Sequence, residues 1–157
     1  MSLSGIIREP VPYVVEDDRS SDSPTVFHIK PQTVRDSLRL ANSVQRATTE
    51  KRGKTRFDDA KMMGVLLEEW AKVVVKIENY KIPKGAVGVD GNGEEDMHAK
   101  YEGRVDASAI DPKGVITINA ISEEERRDVL KMLEPKYQQE VMDAADNAST
   151  LRGAEKN

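Results

Sequence analysis

Two histidines and several runs of carboxylates are the side chains best suited to catalysis. His28 lies in a predicted strand and His98 in a predicted loop, and neither has a candidate nucleophile near it in sequence. The carboxylates cluster in residues 16–18 and 123–125, where like charges repel one another and stay in water. Acid–base catalysis needs carboxylates in differing environments, which such runs do not provide. We therefore predict that the protein is not an enzyme and has no catalytic residues.

Residues 90–94, Asp-Gly-Asn-Gly-Glu, resemble the start of a calcium-binding loop. The remainder does not fit, because the sixth position is Glu95 where a glycine is needed and the twelfth is Tyr101 where a bidentate Glu is needed. Cysteine is absent, which excludes disulfides and thiolate metal sites. The glycines also lack the spacing of a phosphate-binding loop. We expect no metal and no cofactor.

The composition indicates one domain with a lean core and a charged surface. Of 157 residues, 38% are hydrophobic and 33% are charged, against about 25% charged in ordinary domains. Such a chain fits either a small domain with extended arms or a subunit that its neighbours stabilise. No apolar run approaches the ~18 residues that span a membrane, and we expect neither membrane association nor a secretory signal.

The dense positive cluster of the chain lies at Lys51, Arg52, Lys54 and Arg56. No aromatic residues are interleaved with it, and the net charge of −4 opposes sequence-independent phosphate binding. A solvated loop is the favoured interpretation. A small nucleic-acid-binding regulator is the alternative from another functional class.

The longest periodic segment, residues 58–80, predicts a central amphipathic helix. Its apolar residues recur at steps of three and four, which places them on one face. This face is either a core face or a groove for a partner helix. The β-branched residues 73–75 lower helix propensity, so the helix should depend on packing. The predicted core residues are Leu66, Leu67, Trp70, Val74 and Ile77.

The other elements predict an α+β fold, a small helical domain around the central helix with an N-terminal strand and a β-hairpin. Residues 25–30 alternate as a strand, and residues 104–110 and 115–121 predict the hairpin. Ser122 and Glu125 form a capping box, and a last helix begins near Pro135. We assign residues 25–150 to one domain, with a Gly-rich loop and hairpin at 84–121 and a polar tail at 151–157.

Residues 1–24 predict an extended arm, because Pro10 and Pro12 prevent a helix there. The arm is either a flexible leader or a strap that adds to the sheet edge of a neighbouring subunit. The strap hypothesis predicts that residues 1–24 contact another protein and do not complete this chain's core. The predicted partner-binding residues are Pro12, Tyr13, Val14, Val15, Phe27 and Ile29.

The order of landmarks resembles a family of small proteins encoded among the tail genes of tailed bacteriophages and prophages. The landmarks are residues 12–15, an acidic stretch to Arg19, residues 25–31, a helix opening at Thr33, residues 77–80, two short helices and the final residues 155–157. None of these is a catalytic signature. Residues 84–121 are the least matched part.

The resemblance implies a non-enzymatic role in phage morphogenesis. The protein would be a small virion component at the tail or neck, or a tail assembly chaperone that holds the tape-measure protein. Its partners would be other tail or neck proteins in a multimeric assembly. Its location would be the host cytoplasm during assembly and, for a component, the virion.

Overall fold

A computed structural model describes residues 9–32, 34–46, 48–51, 54–57, 59–91 and 93–155. It confirms the α+β class. In chain order the elements are β1 (Val11–Tyr13), β2 (Val26–Ile29), α1 (Val34–Arg46), β3 (Thr48–Lys51), β4 (Lys54–Phe57), α2 (Asp59–Val73), β5 (Val74–Ile82), β6 (Val87–Asp90), β7 (Gly93–Asp96), α3 (Met97–Glu102), β8 (Ile116–Ala120), α4 (Glu123–Met132) and α5 (Pro135–Glu155).

Four strands form an antiparallel sheet in the order β1-β2-β5-β8. Along β8, buried Ile116, Ile118 and Ala120 alternate with exposed Thr117 and Asn119. Alternation of this kind places the apolar residues on one face of the sheet. That face packs with residues of α4 and α5 in a single core cluster, while polar side chains lie on the other face.

The predicted central helix is correct only in its first two thirds. The helix α2 ends at Val73, and residues 74–82 continue as β5 between β2 and β8, so the prediction of a helix to residue 80 is wrong. Two physical causes act together. The β-branched residues 73–75 favour a strand. The Arg126 guanidinium also donates to the carbonyls of Ala71 and Val74, which satisfies backbone oxygens where the helix ends.

The hairpin predicted for residues 104–121 is wrong in its first strand. Residues 104–110 contain a 3₁₀ turn at Ala107–Ala109 and join β8 through an isolated bridge between Ile110 and Ile116. The main partner of β8 is β5. Within the Gly-rich stretch the hairpin is instead β6–β7, in which Val87 pairs with Asp96 and Asp90 with Gly93.

Other local predictions are confirmed. The strand β2 occupies residues 26–29, and α5 begins at Pro135. Ser122 and Glu125 form the complete capping box at the start of α4. The helix α5 continues through residues 151–155 of the predicted polar tail, and residues 156–157 lie outside the described part of the chain.

Candidate functional site

Residues 9–25, the N-terminal segment, pack on this chain's own sheet, which corrects the prediction that residues 1–24 do not complete this chain's core. The strand β1 pairs with β2, with Tyr13 opposite Phe27. Val15 is 8% exposed and joins the main core cluster. Phe27 and Ile29 are each 1% exposed, so neither is available to a partner. The six predicted partner-binding residues do lie together, but four of them pack inward: Tyr13, Val15, Phe27 and Ile29.

Polar contacts with α5 fix the same segment. The Tyr13 hydroxyl donates to Glu140 Oε2 at 2.6 Å, and the Glu16 backbone N–H donates to the same oxygen at 2.9 Å. Asp17 Oδ2 accepts from the Tyr137 hydroxyl at 2.9 Å and from Lys136 Nζ at 3.4 Å. Hydrogen bonds from Tyr137 and then Lys136 lower the pKa of Asp17, which therefore stays ionised.

Prolines block the outer edge of β1. Pro12 has no N–H to exchange with its partner His28, so this is the non-hydrogen-bonded pair and the backbone groups of Pro12 point away from β2. Pro10, two residues earlier, has the same lack of a donor. An edge without these donors is a poor template for another strand. Pro12 is exposed and Val14 half-buried, and their contact with a partner stays a prediction.

A cavity of about 340 Å³ lies between the N-terminal segment, the sheet and the α4–α5 junction. Its lining residues come from four separate stretches of the chain: Val15, Asp17, Asp18, Thr25, Phe27, Tyr80, Lys81, Met132, Leu133, Glu134 and Tyr137. Burial raises the pKa of Tyr80 to about 12. A bulge in β5 precedes this residue, where Asn79 has a φ of 58° and its carbonyl accepts from the Thr25 hydroxyl. Bulges of this kind re-aim side chains beside functional sites.

The outer helices carry apolar residues that the chain does not bury. Among the α1 side chains that the structure describes, none is buried, and Leu38 is 61% exposed. Among the described side chains, Arg39 contacts α2 through an ion pair, since Arg39 Nε lies 3.1 Å from Glu69 Oε2. On α2, Leu66 and Trp70 are half-buried, whereas Leu67 is 2% exposed.

The predicted core residues are therefore divided among three places. Val74 and Ile77 lie in the main cluster, but as strand residues. Leu67 forms a second cluster with Ala71 and Leu130, and Trp70 packs against that cluster. Leu66 is half-buried on α2.

A buried ionic network joins α3 to α4. Asp128 Oδ2 accepts from the Tyr101 hydroxyl at 2.7 Å and lies 2.9 Å from Lys100 Nζ. Lys100 also pairs with Glu124 at 3.2 Å and Glu95 at 3.6 Å. Burial and Asp128 raise the pKa of the Tyr101 phenol. Each charge has a partner, and Tyr101 and Asp128 are 2% and 1% exposed, so the centre of the network is buried and holds α3 on α4.

The sequence prediction missed this network. One signal was available, because Asp128 directly precedes the apolar pair Val129-Leu130 in α4, and a carboxylate there needs a partner.

The sequence candidates for chemistry lie apart from one another. His98 Nε2 donates to the Gly114 carbonyl at 2.6 Å. His28 Nε2 is 3.2 Å from Glu78 Oε1, close enough for an ion pair but not aligned for a hydrogen bond. Lys76 lies nearer, at 2.9 Å from that oxygen, and is the main cause of the lowered pKa of Glu78.

The calcium-like and basic stretches both fall on hairpins. Asp90 ends β6, and Asn92 lies outside the described residues. The described residues include no group of three or more His, Asp or Glu side chains placed to hold a metal ion. Lys51 ends β3, while Lys54 and Arg56 lie on β4. Arg52 is outside the described part of the chain.

Comparison of the chain with protein-family models, with curated proteins and with solved structures finds no match. None of the helices in the described part of the chain combines the length and the apolar character that crossing a bilayer requires.

Proposed function

We propose that this chain is a non-enzymatic structural or morphogenesis protein of a bacteriophage tail, which acts through protein–protein contacts. The observation that carries the proposal is the exposure of apolar side chains on α1. An amphipathic helix on a globular domain ordinarily buries its apolar stripe against the core. Here Leu38 is 61% exposed, Ala41 is exposed and Leu40 is half-buried. A partner surface would supply the burial that these described side chains of α1 lack.

The order of the landmarks along the sequence, which resembles that of a phage tail protein family, supports the phage context of this proposal. Mass spectrometry of purified particles tests it, because a virion component is present in them. Absence from the particle, together with co-purification of the tape-measure protein from infected cells, would favour the alternative of a tail assembly chaperone. Absence from both would contradict the phage proposal.

A matched pair of substitutions tests the role of α1. Leu38→Glu places a charge on the proposed contact, and Ile121→Glu does the same at a residue that is 63% exposed on the β8–α4 connection. Both should leave the urea midpoint nearly unchanged, since exposed positions contribute little to stability. We expect only Leu38→Glu to reduce incorporation or partner co-purification. Equal effects of the two variants would exclude α1 as the contact.

A further inference from the structure

The cavity beside the N-terminal segment has the size and floor of a site for one side chain. Its volume of about 340 Å³ is near the lower limit of small-molecule pockets, roughly 300–1,000 Å³. Apolar and aromatic groups from three directions form its floor: Val15, Phe27, Met132, Leu133 and the rings of Tyr80 and Tyr137. An aliphatic stem would gain burial there, because most of this lining is carbon.

The charges around the floor are unbalanced towards the negative. The lining includes the carboxylates of Asp17, Asp18 and Glu134 and the ammonium of Lys81. Lys81 already donates to the Ser23 carbonyl, and Lys136 pairs with Asp17 at the rim, so three carboxylates face two ammonium groups. Asp18 also accepts from the Thr25 backbone N–H at 2.6 Å. An incoming cation therefore meets an excess of carboxylate, and an incoming anion does not.

The rim already displays the contact that such a cation would make. Lys136 Nζ lies 4.6 Å from the centroid of the Tyr137 ring and 3.4 Å from Asp17 Oδ2. An ammonium between an aromatic face and a carboxylate gains from both the ring quadrupole and the charge. Glu134, which also lines the cavity, is an exposed carboxylate that can make a second contact of the same kind.

We propose that this cavity receives a lysine or arginine side chain from a partner protein, with the stem on the apolar floor and the cationic head at Asp18 and Glu134. The inference rests on the proposed function in that another protein presents the side chain. It does not depend on the phage context, and it concerns a different surface from α1.

The probes are N-acetyl-arginine amide and N-acetyl-lysine amide, with N-acetyl-norleucine amide as the uncharged control. Carbon-13 labelling of the methionine methyl groups reports on the cavity, because Met132 lines it while Met97 is fully buried elsewhere in the core. We expect a saturable shift of the Met132 signal with the two cations, in the millimolar range, and a smaller response to norleucine amide. Absence of saturation, or equal binding of norleucine amide, would overturn the proposal.

Two variants give a matched test of the charge. Glu134→Gln removes a carboxylate from the rim, and Glu94→Gln removes one from β7 with the same change in net charge. Both residues are exposed, so both variants should fold. We expect Glu134→Gln to weaken arginine amide binding about two- to fivefold, the range of a partly solvated ion pair, and Glu94→Gln to leave it unchanged.

If the two variants weaken arginine amide binding equally, the effect comes from net charge alone. That result would contradict a specific site for the cation. The outcomes are separable from the phage proposal: a chain found in particles whose cavity does not bind the cations refutes only the cavity, and the converse result refutes only the phage context.

Discussion

The carboxylate of Asp128 lies inside the contact between α3 and α4. The stability of this contact depends on how the negative charge is compensated. Its side chain is 2% exposed, while that of Glu124, another partner of Lys100, is 55% exposed. The same ion-pair chemistry thus occurs once in the interior and once in water. Removal of one partner from a buried pair leaves a charge uncompensated, whereas exposed pairs are screened.

We therefore predict that Asp128→Asn lowers the free energy of unfolding by about 2–4 kcal/mol, less than a complete loss because Lys100 keeps Glu124 and Glu95. Glu124→Gln should cost under about 1 kcal/mol. Urea unfolding of the two variants beside the parent protein measures both values. Losses of similar size would show that Asp128 is not compensated inside the core.

Three phenols with a raised pKa, those of Tyr13, Tyr80 and Tyr101, make stability depend on alkaline pH. Burial raises the pKa of Tyr80 to about 12, and burial with the Glu140 carboxylate raises that of Tyr13 to about 12, from 10.0 in each case. Above pH 10 the unfolded chain releases protons that the folded chain still holds, so rising pH favours unfolding. This contribution is complete below pH ~10 and is lost as the pH approaches about 12.

The expected result is a fall in the urea midpoint over that interval, with a shallower fall in Tyr80→Phe, which has no phenol at this position. The two proteins share every other titratable group, so the difference between the two curves isolates Tyr80. An identical slope would mean that the Tyr80 phenol is not protected by burial.

At the scale of elements, the junction of α2 and β5 is held by a side chain from α4. Arg126 Nη1 donates to the carbonyl of Val74 at 2.9 Å and also to that of Ala71. Arg126→Met keeps an aliphatic stem but leaves these carbonyls without their charged donor, which costs about 1.5–3 kcal/mol. Arg127→Met, one residue further along α4, should cost under about 0.5 kcal/mol.

Equilibrium urea unfolding distinguishes the two arginines. The outcome that opposes this account is an Arg126→Met variant as stable as Arg127→Met. In that case the β-branched residues 73–75 and the strand pairing of β5 would suffice to end the helix.

The same junction explains which elements the sequence could predict. The Ser122–Glu125 capping box is a local signal, and it appears in the structure as expected. In residues 74–80 the local signals conflict, because apolar steps of three and four favour a helix while β-branching favours a strand. Pairing with β2 and β8 decides the outcome, and that pairing depends on residues about 40 to 50 positions away.

The cavity was beyond prediction for a similar reason. Val15, Phe27, Tyr80 and Leu133 meet there from four parts of the chain. No spacing in the sequence reports such a meeting, whereas the class of fold follows from the alternation of short periodic segments.

At the scale of the whole molecule, hydrogen bonds join the N-terminal segment to α5. Tyr13 and Glu16 bind Glu140, and Asp17 binds Tyr137, across more than 100 residues of sequence. The three contiguous apolar residues of this segment, Tyr13, Val14 and Val15, cannot by themselves offset the entropy of ordering it. The structure adds the pairing of β1 with β2 and these charged hydrogen bonds, none of which composition reveals.

Deletion of residues 1–24 should therefore destabilise the domain, because it removes the strand β1 and the contacts with α5. The loss combines the burial of Val15, the hydrogen bonds to Glu140 and the cover over Phe27, offset by the entropy that the freed residues regain. A net cost of about 2–4 kcal/mol follows.

Deletion of residues 1–8 alone is the matched control, since it retains every contact named for the segment. Thermal and urea unfolding of the two truncated proteins measure this cost. If the two deletions give the same unfolding midpoint, the N-terminal segment does not stabilise the fold. That result would instead favour a role for the segment on a neighbouring subunit.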